Sequence, residues 1–191
     1  MFDNGAETAF TAGNTLIIVL LIVVLLIIAF FIRKSIKKAQ YGDEYIRLGT
    51  AQERKNNYND AIMYYMKAEE LYRENGDEEG RARAFYLAGM LETRRENHGE
   101  ARKYYRKAEP IARKASQPED LGFLLMNMGD AERELGYAGK AEKYYRDALE
   151  IYEKIGDREG VLFAQDRLQI EIEEEVEIEE EIEVKEGNGE D

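Results

Sequence analysis

The most constraining feature of this 191-residue chain is a period of forty residues between positions 41 and 160. Five registers keep this spacing through three copies, and all of them hold small or aromatic residues. They are Gly49, Gly89 and Gly129; Ala61, Ala101 and Ala141; Tyr64, Tyr104 and Tyr144; Tyr65, Tyr105 and Tyr145; and Ala68, Ala108 and Ala148. Similarity at a fixed period predicts a stack of repeated units, each burying its apolar face against its neighbours.

Each copy predicts two helices. In the first copy, Ala61, Tyr65, Ala68 and Tyr72 form an apolar stripe at the spacing of a helix face. The preceding segment carries Gly49, and a glycine inside a helix costs about 1 kcal/mol relative to alanine. Three such glycines in one register therefore predict a close approach between the two helices of each copy.

The pattern resembles the tetratricopeptide repeat. The matching residues are Tyr45, Leu48, Gly49, Tyr58, Ala61, Tyr65 and Ala68; Phe85, Ala88, Gly89, Ala101, Tyr105 and Ala108; and Leu125, Met128, Gly129, Ala141, Tyr145 and Ala148. The resemblance implies an all-α protein, with an α-solenoid of three helix pairs over 41–80, 81–120 and 121–160 and a capping helix over 161–170. The common repeat has about 34 residues, so a period of forty is similar to the longer-helix subclass of kinesin light chains and spindle-orienting scaffolds.

The ends of the repeats carry turn signals. Gly76-Asp77 and Gly156-Asp157 predict matching turns at the ends of the first and third copies. In the second copy, Ser116 and Glu119 have the spacing of a capping box, which predicts that a helix starts there.

An apolar run precedes the repeats. Residues 16–32 contain no polar side chain, and no charged residue occurs between positions 8 and 32. Three other interpretations fit less well. A buried core helix normally has polar residues on one face, and a cleaved signal peptide has a basic start and a small-residue cleavage site. The run is also too long for one strand. We therefore predict one transmembrane helix at 15–32, embedded in a lipid bilayer.

Basic residues follow this run directly. Residues 33–40 form a basic collar that holds Arg33, Lys34, Lys37 and Lys38, whereas residues 1–14 carry no basic residue. Because positive charge marks the cytoplasmic side of a span, we expect residues 1–14 to be extracytoplasmic. The predicted location is the cell or cytoplasmic membrane, crossed once, with the C-terminal domain in the cytoplasm.

Composition excludes several function classes. The chain has no cysteine and a single histidine, His98, which excludes disulfides, thiolate zinc sites and multi-histidine chemistry. The net charge is −13, and the tail at 171–191 has twelve acidic residues against Lys185, so we expect no nucleic-acid partner. No phosphate-binding glycine loop or catalytic arrangement is recognisable. We predict no enzyme activity, catalytic residue, metal, cofactor or small-molecule substrate.

The resemblance implies a concave groove lined by the first helix of each pair, where family partners dock as peptides. The matching positions in this sequence are Ile46, Thr50, Arg54, Arg83, Tyr86, Met90, Arg94, Phe123, Met126, Asn127, Asp130 and Arg133. Aromatic and methionine side chains offer adaptable apolar contact, and arginines bind carboxylates in a bidentate manner. The alternative is that these residues form ordinary solvated helix faces.

Two family binding modes differ in how well they fit. Ile46, Thr50 and Phe123 stand where one family variant clamps a terminal carboxylate with lysine and asparagine, so that clamp is not expected. Asn127 matches the asparagine with which the longer subclass binds peptide backbone. The acidic tail is expected to be mostly solvated, with transient occupation of the groove as a further hypothesis.

These observations predict a membrane-anchored interaction scaffold that binds a partner protein or peptide in its groove. The alternative is a constitutive assembly subunit of a larger membrane complex.

Overall fold

The structure is a computed structural model that describes residues 4–114 and 118–169. Its regular secondary structure over these residues is entirely helical. The helices are α1 (Asn4–Glu53), α2 (Tyr58–Asn75), α3 (Glu78–Arg94), α4 (His98–Ala112), α5 (Pro118–Glu134), α6 (Ala138–Ile155) and α7 (158–169).

The helices pack in the order of the chain. The C-terminal part of α1 pairs with α2, α3 pairs with α4, and α5 pairs with α6, while α2 also packs on α3 and α4 on α5. The second helices start at residues 58, 98 and 138, so the forty-residue step of the sequence is also the step of the structure. This arrangement confirms the predicted all-α solenoid of three helix pairs.

The repeated glycines allow a tyrosine to pass between the paired helices. A Cβ atom added to Gly49 would lie 2.5 Å from Tyr65 Cε1, and one added to Gly129 would lie 2.3 Å from Tyr145 Cε1. Both distances are below van der Waals contact, and both tyrosines are fully buried. The predicted close approach is therefore confirmed, with the buried tyrosine ring as the group that requires the glycine.

The predicted turns end the first and third repeats. Gly76 and Gly156 adopt left-handed conformations with φ of 72° and 75°, which glycine reaches without steric cost. Asp77 then caps α3 by accepting a hydrogen bond of 2.8 Å from the amide of Gly80. In the second repeat, Ser116 lies outside the described residues.

The second repeat differs at its C-terminal end. Helix α4 ends at Ala112, three residues before the position that corresponds to Asn75 at the end of α2. Pro110 lies inside the last turn of α4, where it lacks the amide hydrogen needed for an intrahelical bond.

Helix α7 lies over the third repeat, in the position expected for a cap. Ala164 is fully buried, and Val161 and Leu168 pack against the core. The helix begins at residue 158 rather than at the predicted 161, because Asp157 accepts a hydrogen bond of 3.1 Å from the amide of Gly160 and so forms its N-terminal cap.

Helix α1 continues without a break from the apolar run into the first repeat. Large apolar side chains described between Ile17 and Ile32 are 46% to 64% exposed, so the repeat domain does not cover them. No helix that is both long enough and apolar enough to cross a membrane is found among the described residues.

Candidate functional site

The C-terminal part of α1 with the turn residue Arg54 after it, together with α3 and α5, presents the predicted site residues. We call their surface the first-helix face. Arg54, Arg83 and Arg94 are exposed on it, and Phe123 is 49% exposed. The half-buried residues of the predicted set are Thr50, Tyr86, Met90, Asn127, Asp130 and Arg133.

Two predicted site residues belong to the core instead. Ile46 is 5% exposed and Met126 is 1% exposed, so neither side chain is available to a docked partner. Tyr86 occupies the same register but remains half-buried. Its hydroxyl accepts a hydrogen bond of 3.3 Å from Asn127 Nδ2.

Asn127 is already engaged by the protein. Its Nδ2 atom also donates a bond of 2.8 Å to the carbonyl oxygen of Phe123, one turn earlier in α5. A partner's backbone must therefore displace or share these bonds if Asn127 is to bind it.

The buried tyrosines of the second helices reach polar residues of the first helices. Tyr65 donates a hydrogen bond of 2.7 Å to Glu53 Oε2, and Tyr145 donates one of 2.9 Å to Asp130 Oδ1. Burial raises the pKa of Tyr65 to about 12. These bonds fix the orientation of Glu53 and Asp130 relative to tyrosines of the core.

Ion pairs neutralise part of the positive charge on this face. Arg94 of α3 pairs with Glu53 at the end of α1, so this ion pair links the first helices of two neighbouring repeats. Arg133 lies 3.7 Å from Asp130 Oδ1, and Arg167 of α7 lies 3.1 Å from the same oxygen. Because these arginines have internal partners, the face carries less unpaired positive charge than the sequence alone suggests.

A cavity interrupts the face between α3 and α5. Its volume is about 390 Å³, and Ala112 of α4 contributes to its lining. This site was not among the predicted ones, although one forty-residue register of the sequence holds the small Ala112 between Tyr72 and Tyr152. The remaining lining residues are Glu79, Ala82, Arg83, Tyr86, Leu87, Asp120, Phe123 and Leu124.

The described residues offer no group of three or more histidine, cysteine, aspartate or glutamate side chains arranged to hold a metal ion. His98 begins α4 and is half-buried. The described side chains of this face offer apolar contact, hydrogen bonding and ion pairing.

The fold and this face define a helical-repeat protein of the solenoid class. Family profiles described as tetratricopeptide repeat match residues 45–114 and 124–155. These two segments of the chain therefore consist of tetratricopeptide repeats. A search of curated protein sequences finds no match.

Solved structures share this fold at low sequence identity. The apo form of RapI superposes with a TM-score of 0.68 at 16% identity, covering 73% of this chain and 39% of RapI. The yeast Sti1 TPR2AB domain, solved in a pHSP90 complex, gives a TM-score of 0.61 at 18% identity and covers 75% of this chain and 50% of that one. A Rap protein in complex with competence and sporulation factor gives 0.60 at 16% identity, with coverage of 76% and 41%.

Proposed function

We propose that this chain is a membrane-anchored interaction scaffold that binds a partner protein or peptide on its first-helix face. The observation that carries the proposal is the exposure of Phe123 next to the half-buried Tyr86, on a face that also presents the half-buried Met90. Aromatic and methionine side chains are enriched at protein interfaces, and an exposed cluster of them is a feature of binding surfaces.

The comparisons support the general mode of action. Tetratricopeptide-repeat domains generally mediate protein–protein interaction. The Sti1 structure holds pHSP90, and the Rap structure holds competence and sporulation factor. By analogy, the partner of this chain is a protein or peptide that docks across the first helices. The forty-residue step supports assignment to the longer-repeat subclass.

The membrane anchor is part of the proposal and rests on the sequence. The seventeen apolar residues at 16–32 and the basic collar at 33–40 motivate it. In this arrangement the repeats lie on the cytoplasmic side and hold the partner close to the bilayer. We propose no catalytic activity, cofactor, nucleic-acid partner or small-molecule substrate for this scaffold.

The experiment is affinity capture with the full chain in detergent, in parallel with two charged variants. Phe123→Glu places a carboxylate on the first-helix face, whereas Leu162→Glu places one on α7, where Leu162 is 67% exposed. We expect Phe123→Glu to lose a partner that both the parent chain and Leu162→Glu retain. Equal recovery of every captured protein by all three chains would refute binding at this face.

The same capture separates the scaffold from a constitutive assembly subunit. A scaffold partner exchanges when the immobilised complex is washed with competing free protein. A subunit partner remains bound in a fixed ratio under the same wash, and that result would replace the scaffold proposal by the assembly alternative.

A further inference from the structure

The cavity beside Ala112 arises from a change in one register of the repeat. Tyr72 and Tyr152 occupy this register in the first and third repeats, where both are buried. Ala112 occupies it in the second repeat. The cavity therefore lies where the other two repeats hold the aromatic ring of their own tyrosine.

In the first and third repeats, the ring lies between two glycines of neighbouring first helices. A Cβ added to Gly42 would lie 2.6 Å from Tyr72 Cε1, and one added to Gly80 would lie 2.4 Å from Tyr72 Cδ1. Gly122 and Gly160 enclose Tyr152 in the same way, at 2.6 Å and 2.5 Å. We call this space between neighbouring first helices the ring slot.

In the second repeat the two slot glycines are replaced by Ala82 and Asp120. Their side chains narrow the slot, yet about 390 Å³ remains open because Ala112 supplies only a methyl group. This volume is in the range of ligand pockets, roughly 300–1,000 Å³. Its walls include Leu87 and Leu124, which provide apolar contact.

The open slot is accessible from the first-helix face. Tyr86 and Phe123 of that face line it, as does the exposed Arg83. Arg83 occupies the register of Asp43, whose carboxylate accepts the hydroxyl of Tyr72 at 2.7 Å in the first repeat. The hydroxyl end of the ring slot is thus the end that opens onto this face.

We propose that this slot is an anchor site for one aromatic side chain, tyrosine or phenylalanine, of the docked partner. Tyr86 and Phe123 provide aromatic walls for the incoming ring. This ring lies away from the position that Tyr72 holds in the first repeat, because Cβ atoms at the two glycine positions would lie 2.6 Å and 2.4 Å from that ring and Ala82 and Asp120 carry such atoms here. The chain's own tail offers no such side chain, because residues 170–191 contain no aromatic residue. Partner identity rests on the proposed function, but the capacity of the slot to bind a ring is independent of it.

The test uses p-cresol, the side-chain analogue of tyrosine, and the full chain in detergent. Saturable binding is measured by ligand-observed NMR for the parent chain and for the triple variant Ala82→Gly, Ala112→Tyr, Asp120→Gly. The triple variant restores the residues that enclose Tyr72, so its own new tyrosine should fill the slot. We expect the affinity for p-cresol to fall at least tenfold.

Two further variants keep the result interpretable. Ala112→Leu fills the slot with a single smaller change and should also weaken p-cresol binding at least tenfold. It replaces the triple variant in the test if circular dichroism shows that the triple variant does not fold. Met63→Tyr adds a tyrosine to the surface of α2, where Met63 is 43% exposed, and should leave binding unchanged.

The aromatic preference is tested with N-acetyl-L-tyrosinamide against N-acetyl-L-leucinamide, and we expect the tyrosine compound to bind at least tenfold more tightly. Equal affinity for the two amides would overturn the assignment to aromatic side chains. Absence of saturable p-cresol binding, or unchanged binding by the filled variants, would overturn the site itself. None of these outcomes decides whether the Phe123→Glu variant loses a captured partner. The proposed function and the anchor site can therefore be refuted separately.

Discussion

Replacing Gly129 by alanine tests the packing that defines the repeat. The added Cβ would lie 2.3 Å from Tyr145 Cε1 and 2.7 Å from Cδ1. The ring is fully buried, and its hydroxyl is held by Asp130 at 2.9 Å, so it has little freedom to withdraw. Overpacking of this kind costs about 1–3 kcal/mol.

Helix propensity acts in the opposite direction. Alanine is favoured over glycine within a helix by about 1 kcal/mol, so the net loss in the free energy of unfolding should be about 0–2 kcal/mol. At the upper end of this range, the loss lowers the melting temperature of a domain of this size by about 4–8 °C.

The assay is thermal and urea unfolding of the full chain in detergent, followed by far-ultraviolet circular dichroism. Gly139→Ala is the matched control, because no atom lies within 4 Å of the Cβ it would add in α6. This control should be neutral or slightly stabilising. If Gly129→Ala were as stable as Gly139→Ala, the close contact with Tyr145 would not be the reason for glycine in this register.

Three further predictions concern the tyrosines and the topology. Tyr72→Phe should lose about 0.5–1.5 kcal/mol of stability in urea unfolding, because it removes the 2.7 Å hydrogen bond to Asp43. Tyr152→Phe should be neutral, because the buried hydroxyl of Tyr152 has no hydrogen-bond partner among the described residues. Equal losses of stability in the two variants would contradict this distinction. Burial raises the pKa of Tyr65 from 10.0 to about 12, so folding favours its neutral form, and the urea midpoint should fall as pH rises from 10 to 12. Tyr65→Phe should reduce that fall. An identical pH profile for the variant and the parent chain would refute the contribution of Tyr65 to the pH dependence. A reporter fused after Asp191 should be active only in the cytoplasm, and activity on the opposite side would reverse the predicted topology.

The repeat pattern made much of the fold predictable. A spacing of forty residues, with glycine, alanine and tyrosine in constant registers, defined the helix pairs and located the turns at Gly76 and Gly156. These features depend on local backbone preferences and on contacts between neighbouring segments. Both can be inferred from the order of residues in the sequence.

The exposure of individual site residues was less predictable. Ile46, Tyr86 and Met126 share one register, yet Ile46 and Met126 are buried and Tyr86 is partly exposed. Periodicity determines the direction in which a side chain leaves its helix. Its burial also depends on its length and on the residues that a neighbouring helix brings against it.

The sequence by itself determined the helical repeat, its period and the place where the second copy loses a tyrosine at Ala112. Only the tertiary structure decided that this loss leaves an open cavity, because Ala82 and Asp120 fill the slot only in part. It also decided that Arg94 and Arg133 are ion-paired rather than free. Packing volume and charge pairing are set by distances between helices, and those distances exist only once the repeats have stacked.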